Sequence, residues 1–196
     1  MPSTPWEQLR QTVLSCQKCP LHTQRNQVVF GSGSLTAPIL LVGEAPGFEE
    51  DRTGVAFVGK SGQLLEKILT ACNFSREKEV FLSNIVRCRP PQNRKPTLQE
   101  QAACLPYLEN QIELLQPKII VLLGSVALRA FFGPSARITR DRGTWKEWFG
   151  YPVMPTYHPS ALLRNPQLKR DAWEDFKKII LKYRLLADPN HYCQYI

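Results

Sequence analysis

Four short apolar runs, separated by segments with a helical period, constrain this chain more than any other feature. The runs are APILLVG (37–43), EVFLSNIV (79–86), KIIVLLG (118–124) and YPVMPTYHPS (151–160). Near-continuous aliphatic runs of this length read as strands buried on both faces, as in a parallel sheet. Between and around them lie PWEQLRQTVLSC, SGQLLEKILTACNF, TLQEQAACLPYLENQIELL, SVALRAFFG and LKRDAWEDFKKIILKYRLL. Positions 64, 65, 68, 69 and 72 carry apolar residues at helical spacing. Thr97 followed by Glu100 predicts a capping box, and Gly133 a helix stop. Pro106 is expected early in its helix or at a kink. Strand alternating with helix predicts a doubly wound α/β fold. With 196 residues, no repeat and no linker, the expectation is a single domain over 1–196, with a peripheral tail from about 187.

In an open α/β sheet, ligands bind beyond the carboxyl ends of the strands. The first run ends in Gly43-Glu44-Ala45-Pro46-Gly47, the second near Asn84, and the fourth in Tyr157-His158-Pro159-Ser160. Singly, Asn84 reads as a turn residue, His158 as a buried histidine and Phe57 as core. Their convergence is the stronger signal. The letters GVAFVGKS (54–61) match a phosphate-binding loop, but the nearest strand ends more than ten residues earlier. A phosphate loop joins strand directly to helix, which disfavours nucleotide hydrolysis.

Charge narrows the partner. Lys and Arg number 25 against 17 Asp and Glu, a formal net charge of +8, which suits a polyanion. The N-terminal residues lack a secretory pattern, and no apolar run approaches the ~20 residues needed to cross a bilayer. A cytoplasmic protein with no membrane partner is expected. In that reducing compartment six cysteines are not a disulfide framework. Cys16 and Cys19 form a C-x2-C pair, and Cys88 and Cys104 lie far downstream. From spacing alone, a metal site holding zinc or iron–sulfur and a set of buried thiols stand level. Cys72 reads as core, and Cys193 stands alone.

Taken together, GEAPGFEEDRTGVAFVGKSGQLL, NIVRCRPPQNRKP and YHPSALLRNP, with the C-x2-C near the start, resemble the iron–sulfur-containing, family 4 uracil-DNA glycosylases. The resemblance runs from about Cys16 to the C-terminal helix. It implies a three-layer α/β/α sandwich with a central parallel four-stranded sheet. It implies a monofunctional enzyme of base excision repair, probing single- and double-stranded DNA as a monomer. One 4Fe–4S cluster is implied on Cys16, Cys19, Cys88 and Cys104. Gly43, Glu44 and Ala45 are expected to line the uracil, Phe57 to stack on it, Asn84 to read its edge and His158 to meet O2.

Superfamily relatives carry an aspartate where this chain has Ala45, so Glu44, then Glu50, is expected to orient the water. Glu49 and Asp51 are further substitutes, and the plain reading of the whole acidic run is that it is solvated. Leu162 is expected as the wedge that fills the flipped base's place, supported by Leu163. Arg87, Arg89, Arg94, Lys95 and Arg164 are expected on phosphates. Two other readings compete. One is a non-catalytic iron–sulfur or zinc DNA-binding module, which would need none of Asn84, Phe57 and His158. The other is a relative that links covalently to DNA through a histidine in an insertion. RPPQNRKPT contains no histidine.

Overall fold

The computed structural model describes residues 3–196. Among these, the elements in chain order are α1 (Pro5–Leu14), β1 (Ser32–Gly33), β2 (Ile39–Gly43), α2 (Phe48–Thr53), α3 (Lys60–Ala71), β3 (Val80–Asn84) and α4 (Leu98–Leu115). There follow β4 (Ile119–Leu123), α5 (Gly124–Phe132), α6 (Ile138–Asp141), β5 (Lys146–Trp148), β6 (Tyr151–Thr156), α7 (Pro159–Arg164) and α8 (Leu168–Leu186).

The sheet has six strands in the order β1-β3-β2-β4-β6-β5. Its four central strands are parallel, as the apolar runs predict. The expectation of four strands is corrected at both edges, where β1 and β5 pair antiparallel to β3 and β6. Ser32-Gly33 and Lys146-Glu147-Trp148 are too short and too polar to register as apolar runs.

Alternate residues of the strands face opposite layers, as the pleat requires. Leu40, Val42, Ile120 and Leu122 pack with Leu9 and Val13 of α1, Leu108 and Ile112 of α4, and Leu128 of α5. Ile39, Leu41, Ile119 and Val121 pack with Leu65 and Leu69 of α3 and Phe176, Ile179 and Ile180 of α8. This is the three-layer sandwich expected.

Local signals also hold. The Thr97 hydroxyl accepts from the Glu100 amide at 3.2 Å, and the Glu100 carboxylate accepts from the Thr97 amide at 2.7 Å. Pro106 departs from the expectation of an early position: it sits in the interior of α4, where it removes one intrahelical donor. The tail is not peripheral. His191 and Cys193 are buried, His191 Nε2 lies 2.8 Å from the Cys72 carbonyl, and its ring stacks on Phe74 at 4.7 Å. Arg184 holds the tail by donating to the His191 and Ile196 carbonyls. Histidine and cysteine give no periodic signal, so the sequence hid this packing.

Candidate active site and cysteine cluster

A cleft of about 580 Å³ opens at the carboxyl end of the parallel strands. That volume falls in the range of small-ligand sites. Glu44, Ala45, Phe57, Asn84 and His158 line it together, so the residues singled out on three separate motifs do converge.

Strand register explains the first pair. Gly43 ends β2 directly opposite Asn84, the last residue of β3. A Cβ on Gly43 would lie 2.5 Å from Asn84 Oδ1 and 2.6 Å from Phe57 Cζ. A glycine there is what lets an amide and a phenyl ring meet at one point.

Phe57 is buried and held at φ 55°, an unusual conformation for an aromatic residue. Its surroundings hold it from both sides. Arg76 donates to the Ala56 and Phe57 carbonyls at 2.9 and 2.8 Å. The Glu50 carboxylate accepts from the Val58 and Gly59 amides at 3.0 and 2.8 Å, and from Gly47 at 3.1 Å. Gly62 of α3 allows the close approach, since a Cβ there would lie 2.0 Å from the Phe57 carbonyl oxygen. These contacts also explain why GVAFVGKS is no phosphate loop: a carboxylate already occupies its amides.

Glu50 is therefore a bracket for the loops rather than a free carboxylate. The rest of the acidic run is not simply solvated either. Asp51 is buried and accepts from the Asn26 amide nitrogen and side chain, and Glu49 pairs with Arg52 at 2.9 Å. Glu44 remains as the half-buried carboxyl of the cleft. Burial raises its pKa above the ordinary range, opposed by the charges of Lys95 and Arg164.

His158 caps α7. The Ser160 amide donates to His158 Nδ1 at 3.1 Å. Nδ1 is thus an acceptor, and the ring proton of the neutral form sits on Nε2. Burial, and secondarily the charge of Arg164, lowers the His158 pKa to about 4. The imidazole is neutral at physiological pH. Gly124, at φ 90°, makes room for it: a Cβ there would lie 2.9 Å from His158 Cβ. Sequence reasoning passed over Gly124 and Ser125, which also line the cleft. The end of KIIVLLG, a fourth strand terminus at the same sheet edge, was the available signal.

The four motif cysteines come together in the layer that α1 and α4 form on the sheet. Cys16, Cys19, Cys88 and Cys104 line one narrow space with Arg25, Arg87 and Tyr107. They are unpaired, and among the described residues no three metal-binding side chains are grouped closely enough for a single ion. Arg25 donates to Cys88 Sγ at 3.2 Å and to the Cys16 carbonyl at 2.8 Å. Burial raises the pKa of Cys19, Cys88 and Cys104 when nothing is bound, with Arg25 pulling Cys88 back. Arg87 lines the same space, and its Nε is buried without a partner. Four thiols, two guanidinium groups and an unpaired N–H donor suit an anionic multi-metal group with its own sulfur acceptors.

Two residues expected on DNA are elsewhere. Arg87 is 1% exposed and cannot reach a phosphate; it donates to the Asn84 carbonyl and, at 2.6 Å, to Gln111 Oε1. Leu162 is 1% exposed because YHPSALLRNP forms a short helix that turns it inward, whereas Leu163 is 45% exposed. Arg94 lines the cleft but is engaged by Glu100 at 2.7 Å. Lys95 and Arg164 line the same cleft. Arg89 is half-buried beside it.

The family model described as "Uracil DNA glycosylase superfamily" matches residues 30–177. The chain is 47% identical to the type-4 uracil-DNA glycosylase of Thermotoga maritima, over 88% of this chain and 91% of that protein. It is 42% identical to the type-4 uracil-DNA glycosylase of Sulfurisphaera tokodaii, over 88% and 82%. With that of Saccharolobus solfataricus the identity is 41%, over 85% and 81%.

Proposed function

The chain belongs to the uracil DNA glycosylase superfamily and, within it, to the type-4 enzymes, and from that premise we propose that it flips uracil out of DNA and hydrolyses its N-glycosidic bond. The product is an abasic site for base excision repair. The observation that carries this reading is the meeting of the Asn84 amide, the Phe57 ring and His158 in one cleft at the strand ends.

Each group has a chemical part. Phe57 stacks on the flipped base. The Asn84 amide accepts from uracil N3–H and donates to O4; cytosine offers the reverse pattern and leaves both groups unpaired. His158, neutral, donates from Nε2 to O2. As the C1′–N1 bond breaks, negative charge grows on the uracil and positive charge on the sugar. A fixed donor at O2 stabilises that charge without reorganising. Glu44 orients the water, which forms the new bond to C1′ and gives its proton to the carboxylate. Burial makes that carboxyl a stronger base than one in water. Uracil leaves as the anion.

Leu163 takes the wedge role expected of Leu162, because it is the exposed leucine of α7. Arg89, Lys95 and Arg164 contact phosphates. The protein acts as a monomer on single- and double-stranded DNA in the cytoplasm. Cys16, Cys19, Cys88 and Cys104 hold one 4Fe–4S cluster. When bound, that cluster supplies a covalent tie between the N-terminal segment, the loop after β3 and α4, and no step of the reaction. Arg25 and Arg87 balance its charge.

The test is release of free uracil from single- and double-stranded oligonucleotides, with thymine and hypoxanthine controls, alongside iron and sulfide analysis. Turnover by the wild type and its loss in Asn84→Ala and His158→Ala are expected. Full activity in Asn84→Ala would overturn the pocket assignment. Stoichiometric zinc in a colourless protein would overturn the cluster.

A further inference from the structure

One rim of the cleft carries an exposed aromatic ring to which excision gives no part. Phe48 opens α2 immediately after Gly47, which lines the cleft, and is 55% exposed. A phenyl ring left in water gains little from burial, so core packing does not account for it. The Arg89 guanidinium, from the loop after β3, lies over this ring with its central carbon 5.2 Å from the centroid. Arg89 Nε donates to Asn93 Oδ1 at 2.7 Å, which fixes the plane of the guanidinium. Pro90 and Asn93, beside it in the loop, line the cleft too. Two loops from neighbouring strands therefore present an aromatic ring that carries a held cation over it and is still 55% exposed, next to residues that line the cleft.

That pairing matches a nucleotide. Unpaired bases stack on aromatic rings and guanidinium planes whatever their identity, and a guanidinium also takes a phosphate in its fork. We propose that Phe48 and Arg89 form a subsite for the nucleotide adjoining the flipped uracil in single-stranded DNA, with its base on Phe48 and its phosphate on Arg89. In a duplex the adjoining base stays paired and stacked in the helix, so the subsite favours single strands. The inference rests on the uracil reading only for its register along the strand.

The experiment uses a short single-stranded oligonucleotide with one uracil, and versions in which the base on its 5′ or 3′ side is replaced by a tetrahydrofuran abasic analogue. Removing the base on one of the two sides should raise the wild-type KM by about 5- to 150-fold, the range for one base–aromatic stack, with kcat unchanged. Phe48→Ala should show that raised KM on the intact strand and no further rise on the abasic one, and Phe48→Trp should restore the wild-type pattern. On duplex DNA, Phe48→Ala should match the wild type. An unchanged KM in Phe48→Ala, or a loss that adds to that of base removal, would overturn the proposal. Anisotropy with a uracil-free single strand separates the two readings. Weaker binding by Phe48→Ala supports the subsite even if no uracil is released, and equal binding counts against it even if excision is normal.

Discussion

Replacing Glu50 by alanine tests the division of labour among the carboxylates. Its carboxylate accepts three backbone hydrogen bonds, from Gly47, Val58 and Gly59 at 3.1, 3.0 and 2.8 Å. Each buried amide left without an acceptor costs about 1–3 kcal/mol. The three are partly buried, so water recovers some of this, and a total of about 3–5 kcal/mol is expected. Unfolding entropy near 2.1 cal/mol/K per residue converts that into a fall in Tm of roughly 7–12 °C for a chain of 196 residues. Glu50→Gln should lose about half as much, because one carbonyl oxygen remains while the NH2 group faces other donors. Two of the three amides directly follow Phe57, so KM for uracil-containing DNA should rise as the ring loosens. Glu44→Gln should behave oppositely: its Tm stays within about 2 °C of the wild type while kcat falls on the order of 10²-fold or more. Calorimetry and steady-state excision on the same preparations decide the matter. A fall in Tm below about 3 °C for Glu50→Ala, with activity abolished, would refute the bracket role and return Glu50 to the chemistry.

Two further outcomes follow from the site. Burial and Arg164 hold His158 near a pKa of about 4, below its ordinary value. Between that value and the unfolded value of about 6.5, the unfolded chain binds a proton that the folded one refuses. This contribution to stability is therefore present in full above pH 6.5 and is lost as pH falls towards 4. Nitrogen-15 NMR should show a neutral, Nε2-protonated ring from pH 5 to 8, and a titration midpoint near 6.5 would contradict it. On α7, Leu162→Ala should destabilise by about 2–5 kcal/mol as a core truncation. Leu163→Ala should leave urea unfolding nearly unchanged and weaken excision from duplex more than from single strands. The reverse pattern would restore Leu162 as the wedge.

Much of the site was legible because its signals are local. GEAPG, Asn84 and YHP each end an apolar run, and in a parallel sheet strand ends share one edge. Glu50, Arg87 and Leu162 were misread for a common reason. Each is a residue whose sequence neighbours advertise one role while a partner distant in sequence assigns another. Glu50 sits in an acidic run, yet the amides of Val58 and Gly59 enclose it. Arg87 sits among basic loop residues, yet Gln111 of α4 and the Asn84 carbonyl draw it inside. Leu162 precedes a proline-bounded turn, yet it is buried and borders the same space as Leu64 and Ile68 of α3 and Trp173 of α8.

The sequence alone determined the alternation of strand and helix, the central parallel sheet, the edge at which the cleft opens and the cysteines available to a metal. These follow from periodicity, residue type and the alternation of strand with helix, which act over a few residues or on the chain as a whole. Tertiary structure alone decided which carboxylate stays free, which leucine of α7 is exposed, which arginine is buried and how the tail is held. Those outcomes depend on where a side chain from one element meets a backbone group or a packing face from another, and no local pattern encodes that meeting. In this chain it comes down to a glycine opposite an asparagine and a glutamate beneath a phenylalanine.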